Sequence, residues 1–255
     1  MIKTSSKKIV SIINELNISE GSYIMIHCSS FMFGKIEGGI HNLYNLLKTN
    51  LGKNNTLIYP SFTYSFRRNE MFNISKTPCD NNIGVLSEIA RNDSKSFRNN
   101  DPLFSLVAIG KDKYIIEREK KSCFGVNSIY EKLFKKNFFI LSLGVELTNG
   151  ISEFMHIEKL AKVPYRYDRI FKGISVSKEN IIFKDYANHF TRNENFFKKF
   201  KQNREKFGNE LIKKKVMKKM VYGYGKILLI NGKNFLDLTL NKLQKNKYFM
   251  LDKIK

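Results

Sequence analysis

The sequence predicts an α/β fold, one domain over residues 1–255 with a central mixed or parallel sheet flanked by helices. Three observations predict it. Apolar runs of strand length alternate along the chain with helical patterns, and several of those runs are apolar on both faces, as a sheet covered by helices requires. With 255 residues, 42% of them hydrophobic and 13% aromatic, the chain can bury a core without disulfides or metal, and no Pro/Gly/Ser-rich linker divides it.

Ile9, Val10, Ile13 and Leu16 recur at helical spacing, and Tyr23–His27 is an apolar run after the Glu20-Gly21 turn signal, predicting helix then strand. Ile40, Leu43, Leu46, Leu47 and Leu51 form an amphipathic stripe closed by Gly52, and Thr56–Tyr59 is a strand stopped at Pro60. The order then repeats: helix over Ile83–Arg91, strand over Ser105–Ile109, short helix over Ile129–Lys135, strand over Phe138–Leu143. Gly173–Phe183 reads as a hairpin turning at Lys178-Glu179-Asn180, and Lys226–Ile230 as a late strand. Phe196–Met220 reads as a long helix interrupted by Gly208, with ten basic residues from Lys198 to Lys219 against Glu205 and Glu210. A solvated face is the plain reading of that run; a basic wall beside an anionic substrate is the functional one.

Forty-five Lys and Arg against 23 Asp and Glu give a net charge of +22 and a pI near 9.8, which attracts polyanions. The chain is rich in Lys, Asn and Ile together, so part of that excess is compositional. No DNA- or RNA-binding motif appears, and a basic nucleic-acid-binding protein is the rival class. No run approaches the roughly 20 apolar residues a membrane span needs, which predicts a soluble cytoplasmic protein. Cys28, Cys79 and Cys123 are odd in number and far apart, suggesting neither a disulfide framework nor a zinc site.

Four constellations carry chemistry. His27-Cys28-Ser29-Ser30 stands at a strand end, followed by Gly34 and by Gly38-Gly39 opening a helix, a junction whose free N–H groups suit a phosphate or an ordinary turn. His156 and Glu158 suit a general base with its carboxylate, though a surface or packed histidine is the plainer reading; on a helix, residues two apart lie about 200° apart, so pairing them needs a non-helical turn. Arg98–Ser105, with Asp101 and Pro102, is a polar loop entering a strand. Val163–Tyr167 interleaves aromatics with Arg166, fit for stacking or for an amphipathic strand.

Taken in order, IMIHCSSFMFGKIEGG, TLIYPSFTYSF, IGVLSEIARNDSKSFRNNDPLFSLVAIG, SCFGVNSIYEKL, FFILSLG and HIEKLAKVPYRY resemble the aminoglycoside 3-N-acetyltransferase family, over about two thirds of the chain; residues 174–255 match less well. The forms RNNDPLFS and CFGVNS look more like the branch found in surface-polysaccharide biosynthesis loci than the antibiotic-resistance branch. The resemblance implies an α/β acyltransferase, unrelated to the GNAT fold, that passes an acetyl group from acetyl-CoA directly to an amino group on a sugar-like substrate, with a histidine and a glutamate as the base system and no metal. The acceptor implied is a polysaccharide amino sugar or its activated precursor; an aminoglycoside antibiotic, or sugar and CoA binding without catalysis, are the alternatives. A homodimer is compatible.

By position, the resemblance places His27, Ser29, Ser30, Gly34, Gly38, Gly39 and Ser105 against the acyl-CoA, and Thr63, Asp101, Tyr165 and Arg166 toward the amino substrate. Glu158 matches the motif glutamate through its spacing to Pro164. The sequence departs at the histidine, which the family carries three residues before that glutamate. Met155 stands there, and His156 only two before. A one-residue deletion that lets His156 enter the site is the preferred reading; a missing base is the other. His41 reads as structural, and His189 as a reserve candidate.

Overall fold

The structure is a computed structural model that describes residues 1–118 and 122–254. In chain order its main elements are α1 (Ser6–Leu16), β1 (Tyr23–Cys28), α2 (Gly39–Asn50), β2 (Thr56–Pro60), α3 (Val85–Arg91), β3 (Phe97–Arg98), β4 (Leu106–Ile109), α4 (Ile129–Phe134), β5 (Phe138–Leu143), α5 (Glu153–Leu160), β6 (Arg166–Val176), β7 (Ile182–Arg192), α6 (Glu205–Lys213), β8 (Met217–Tyr222), β9 (Gly225–Asn231) and α7 (Gly232–Lys245). A seven-stranded mixed sheet runs β8-β9-β5-β1-β2-β4-β3. The three central strands, β5, β1 and β2, are parallel, and the outer ones pair antiparallel.

Strand β1 shows why the sheet is covered on both faces. Ile24 and Ile26 join the apolar layer of α1 and α2, with Ile9, Leu16, Leu43 and Leu47, whereas Met25 joins the opposite layer of α4, α5 and α7, with Leu133, Phe154, Ile157 and Phe235. All three are at most 1% exposed, so each buried side chain contributes about 1.5–3 kcal/mol relative to exposure. The same alternation sends His27 to Met25's face, toward α5.

Local chemistry starts and stops the helices. The Ser5 side chain accepts from Lys8 N–H at 3.2 Å to cap α1, and Asn17 ends it in the left-handed region at φ 52°. Asn231 caps α7 by accepting from Asn234 N–H at 3.0 Å.

Two expected elements differ. The hairpin turns where expected, at Asn180 with φ 63°, but its arms run far longer, pairing Arg166 with Arg192 at the open end. The long helix over Phe196–Met220 does not form. Short helix, strand and α6 follow one another, Lys215 turns left-handed at φ 57°, and Met217–Tyr222 becomes a strand because Met217 and Met220 pair with Ile230 and Ile227 of β9. Sheet pairing and burial of Met217 override the helical pattern there.

Candidate active site

In an open sheet with parallel strands, ligands gather at the strands' carboxyl ends. Here the ends of β1, β2 and β5 deliver His27–Ser30, Ser61–Tyr64 and Gly144–Glu146 to one edge. The loop Asn99–Ser105 enters the same edge because β4 runs antiparallel to β2, and Ser61 N–H donates to Ser105 O at 2.8 Å.

His27 and Glu153 meet at this edge. Glu153 opens α5 and is fully buried; its Oε2 lies 3.0 Å and its Oε1 3.2 Å from His27 Nε2. A carboxylate only accepts, so Nε2 carries the proton and the lone pair sits on Nδ1. Glu153 Oε2 also accepts from Ser152 Oγ at 3.3 Å, and Ser152 Oγ lies 3.0 Å from Tyr130 Oη. The Tyr130 phenol is pushed well up, first by burial and then by the Glu153 carboxylate, so it stays protonated. A histidine locked in one tautomer by a buried carboxylate is equipped to take a proton from an amine. Burial pushes the neighbouring Cys28 thiol up to about 12, which favours its protonated form.

His156 lies elsewhere. Helix α5 is regular, with no turn that rotates His156 beside Glu158 or into Met155's place. The His156 ring is 0% exposed, stacked on Phe134 at 5.1 Å and 13°, and its Nδ1 accepts from Gly125 N–H at 3.1 Å. Burial pushes it down to about 3, which keeps it neutral in the α4 interface. Met155 is partly buried against the core. Glu158 faces Arg166 Nε at 2.7 Å and Arg204 Nη2 at 3.0 Å. Burial alone would raise its pKa, but Arg204 and Arg166 hold it below the usual carboxylate range. The expected His156–Glu158 pair is thus two separate buried clusters, because a regular helix points the two side chains to different partners.

Most other expected contacts are structural bonds. Ser105 donates to Ser61 O and accepts from Arg98 Nη2 at 3.1 Å, and Thr63 Oγ1 donates to Pro102 O at 2.7 Å. Asp101 Oδ1 accepts from Leu103 and Phe104 N–H, each at 2.9 Å, and its Oδ2 lies 3.6 Å from Arg118 Nε. Tyr165 is buried on Phe196, ring centroids 5.6 Å apart, and Arg166 is buried on Glu158. All are buried, so they shape the edge from behind. Gly34 lies against the chain's first residues: a Cβ there would collide with Ile2 O. Gly38 occupies the N-cap of α2 with no side-chain cap, and Gly39 opens that helix with open space at its Cβ position.

Glu153 and Tyr130 were not foreseen. Residues 27 and 153 are 126 apart in sequence, and no local pattern links them; only the alternation that puts His27 on Met25's face offers a hint.

Ser29 and Ser30 follow His27 at the edge, with Ser29 N–H donating to Leu143 O at 2.8 Å. Gly144, at φ 75°, packs so closely that a Cβ would sit 2.8 Å from Ser29 O. From there a cleft of about 350 Å³ opens outward, lined by Val145, Glu146, Asn209, Lys219, Tyr224 and Lys226 among others.

The sequence model of the family described as aminoglycoside 3-N-acetyltransferase matches residues 25–244. The chain belongs to that family. A comparison with curated protein sequences found no match. Among solved structures, AAC(3)-Xa aligns with a TM-score of 0.82 at 15% identity, covering 95% of this chain and 93% of that one. YokD from Bacillus subtilis aligns at 0.80 and 19%, covering 98% and 96%, and AAC-IIIb in binary complex with CoASH at 0.79 and 17%, covering 95% and 97%. At such identities the likeness shows the fold alone, and it is the fold expected.

As a member of the aminoglycoside 3-N-acetyltransferase family the chain is an acyl-CoA-dependent N-acyltransferase, with acetyl-CoA as its co-substrate. The cleft that begins at Gly144 suits an anionic tail in part: Lys219 and Lys226 line it, together with Glu146 and Glu205. Among the described residues no group of three or more His, Cys, Asp and Glu is arranged to hold a metal ion, and no helix is long and apolar enough to cross a membrane.

Proposed function

We propose that this acyltransferase acetylates an amino group on a sugar of surface-polysaccharide biosynthesis, or its activated precursor, with His27 as general base and Glu153 as the carboxylate that orients it. The observation that carries the assignment is the 3.0 Å His27–Glu153 contact at the carboxyl end of the central strand. The acceptor amine's lone pair attacks the thioester carbonyl and the C–N bond forms. His27 Nδ1 takes the proton the nitrogen sheds. The C–S bond then breaks and the CoA sulfur leaves with the electron pair, to be protonated as free thiol. Glu153 stabilises the imidazolium formed on the way. In this reading His156, buried on Phe134, packs the core, and Ser29, Ser30, Gly38 and Gly39 border the acyl-CoA. The sugar role is supported by the RNNDPLFS and CFGVNS forms and by the basic balance of the chain.

The test is CoA thiol release from acetyl-CoA with amino-sugar acceptors. His27→Ala is expected to lose about 10²–10⁴ in turnover with CoA binding kept, whereas His156→Phe stays near wild type. Full activity in His27→Ala would overturn the assignment. A second reading, favoured by Met155 at the family histidine's position, is a member that binds sugar and CoA without transfer; absence of thiol release with every acceptor, CoA binding intact, would select it.

A further inference from the structure

One face of the β6–β7 hairpin lies over the loop that follows β2. Arg169, Phe171 and His189 share that face, because Arg169 pairs with His189 and Phe171 with Ala187 in antiparallel register. Further along β6, Gly173 lies so close to the Phe66 ring that a Cβ would sit 2.7 Å from it. The opposing loop contributes Tyr64 and Arg67. The Arg67 guanidinium stacks 4.6 Å from the Tyr64 ring centre and 5.8 Å from that of Phe171, and Arg169 lies 4.9 Å from Phe171 on its own strand. Arg192, at the open end of the hairpin, is engaged elsewhere: its Nη2 donates to Gln202 Oε1 and its guanidinium lies 5.3 Å from the Phe197 ring centre.

Two like charges, Arg67 and Arg169, thus share the Phe171 ring. Burial lowers the Arg67 pKa most, Tyr64, Asp80 and Cys123 oppose it, and Arg169 adds a smaller lowering. Among the described residues no carboxylate pairs with Arg67 or Arg169. Asp80, an acidic group that acts on both Tyr64 and Arg67, already accepts from Tyr64 N–H. Two buried polar atoms on the same hairpin face, His189 Nδ1 and Thr191 Oγ1, have no hydrogen-bond partner among the described residues. His189 is 5% exposed, packed against Phe104 at 4.7 Å, and held neutral, pushed down to about 2 by burial and then by Arg67 and Arg166. The cluster is also one strand from the proposed base: Tyr64 follows β2, which pairs with the β1 that carries His27, and Tyr130 feels both Glu153 and Tyr64.

We propose that Arg67 and Arg169, arranged around Tyr64 and Phe171, form a phosphate-recognition site for the amino acceptor, so that the sugar acylated here carries a phosphate ester. This rests on the acyltransferase reading above and narrows its substrate. Planar guanidinium groups braced on aromatic rings are preorganised for bidentate phosphate contacts. A polycationic acceptor would meet repulsion at the same place.

The experiment compares four acceptors in the thiol-release assay: a free amino sugar, the amino sugar 1-phosphate, a nucleoside-diphosphate-linked amino sugar, and gentamicin. The expected result is kcat/KM at least about 10-fold higher for the phosphorylated acceptors than for the free sugar, falling with added salt. Arg67→Ala/Arg169→Ala should remove that advantage while the affinity for acetyl-CoA is unchanged. The two phosphorylated arms show whether a monoester suffices or a diphosphate is needed. Calorimetric binding of the amino sugar 1-phosphate to wild type and to the double variant repeats the comparison without catalysis. Equal kcat/KM for free and phosphorylated sugars, or equal phosphate-sugar affinity in the two proteins, would overturn this inference and leave the acyltransferase reading standing. Arginine-dependent binding with no thiol release would overturn that reading alone.

Discussion

His27 and Glu153 come from opposite halves of the chain, and their side chains meet at 3.0 Å with both residues buried. Strand β1 supplies the imidazole, the first turn of α5 supplies the carboxylate, and Ser152 and Tyr130 extend the hydrogen-bonded line into the core. Groups held this way lose little freedom when a substrate arrives, which is what a general base needs.

Glu153→Gln should separate orientation from basicity. The amide preserves shape but cannot stabilise an imidazolium, so kcat is expected to fall by about 10-fold or more with KM for acetyl-CoA nearly unchanged. The pH–rate profile should change with it. Unaltered kcat and profile would show that the pair is a packing feature.

Gly144→Ala is expected to damage the acyl-CoA side. At φ 75° a side chain is strained, and its Cβ would press on Ser29 O at 2.8 Å. A loss of about 1–3 kcal/mol in denaturant unfolding and a raised KM for acetyl-CoA should appear together. Gly21→Ala, also at positive φ but with nothing within 4 Å of its Cβ, controls for backbone strain alone. Equal CoA KM in both variants would disconnect the Gly144 cleft from acyl-CoA binding.

Glu158→Ala should be the most damaging of these to folding. It would leave Arg166 and Arg204 buried without their carboxylate, a change that costs about 3–5 kcal/mol in comparable buried pairs. Urea unfolding measures it, and a loss under about 1 kcal/mol would mean the arginines find other partners.

Acid should destabilise the protein through its buried histidines. Unfolded, His156 and His189 take up protons as pH falls through about 6.5; folded, burial holds them neutral down to about 3 and about 2. The unfolded state therefore binds more protons below about 6.5, and stability is lost progressively as pH falls through that window. His156→Phe removes one contribution, so its stability measured from pH 7 to pH 4 should fall less steeply than wild type. Parallel curves would show that His156 is not the titrating group.

The alternation of apolar strands and amphipathic helices was legible in the sequence because burial on both sheet faces leaves a continuous apolar signature, as at Tyr23–His27 and Phe138–Leu143. The segments that resemble the acetyltransferase family were equally legible, and the family match over residues 25–244 agrees with them. What side chains at those segments do was decided by tertiary structure. Whether His156 or Met155 points out of α5 depends on one residue of helical phase, about 100° of rotation, which spacing alone does not reveal. Likewise, the Phe196–Met220 run has a helical pattern, yet pairing with β9 makes its end a strand. The His27–Glu153 contact and the arginines around Tyr64 join residues distant in sequence. Local periodicity reports which face of an element is buried; only the packing of elements reports what each buried group meets.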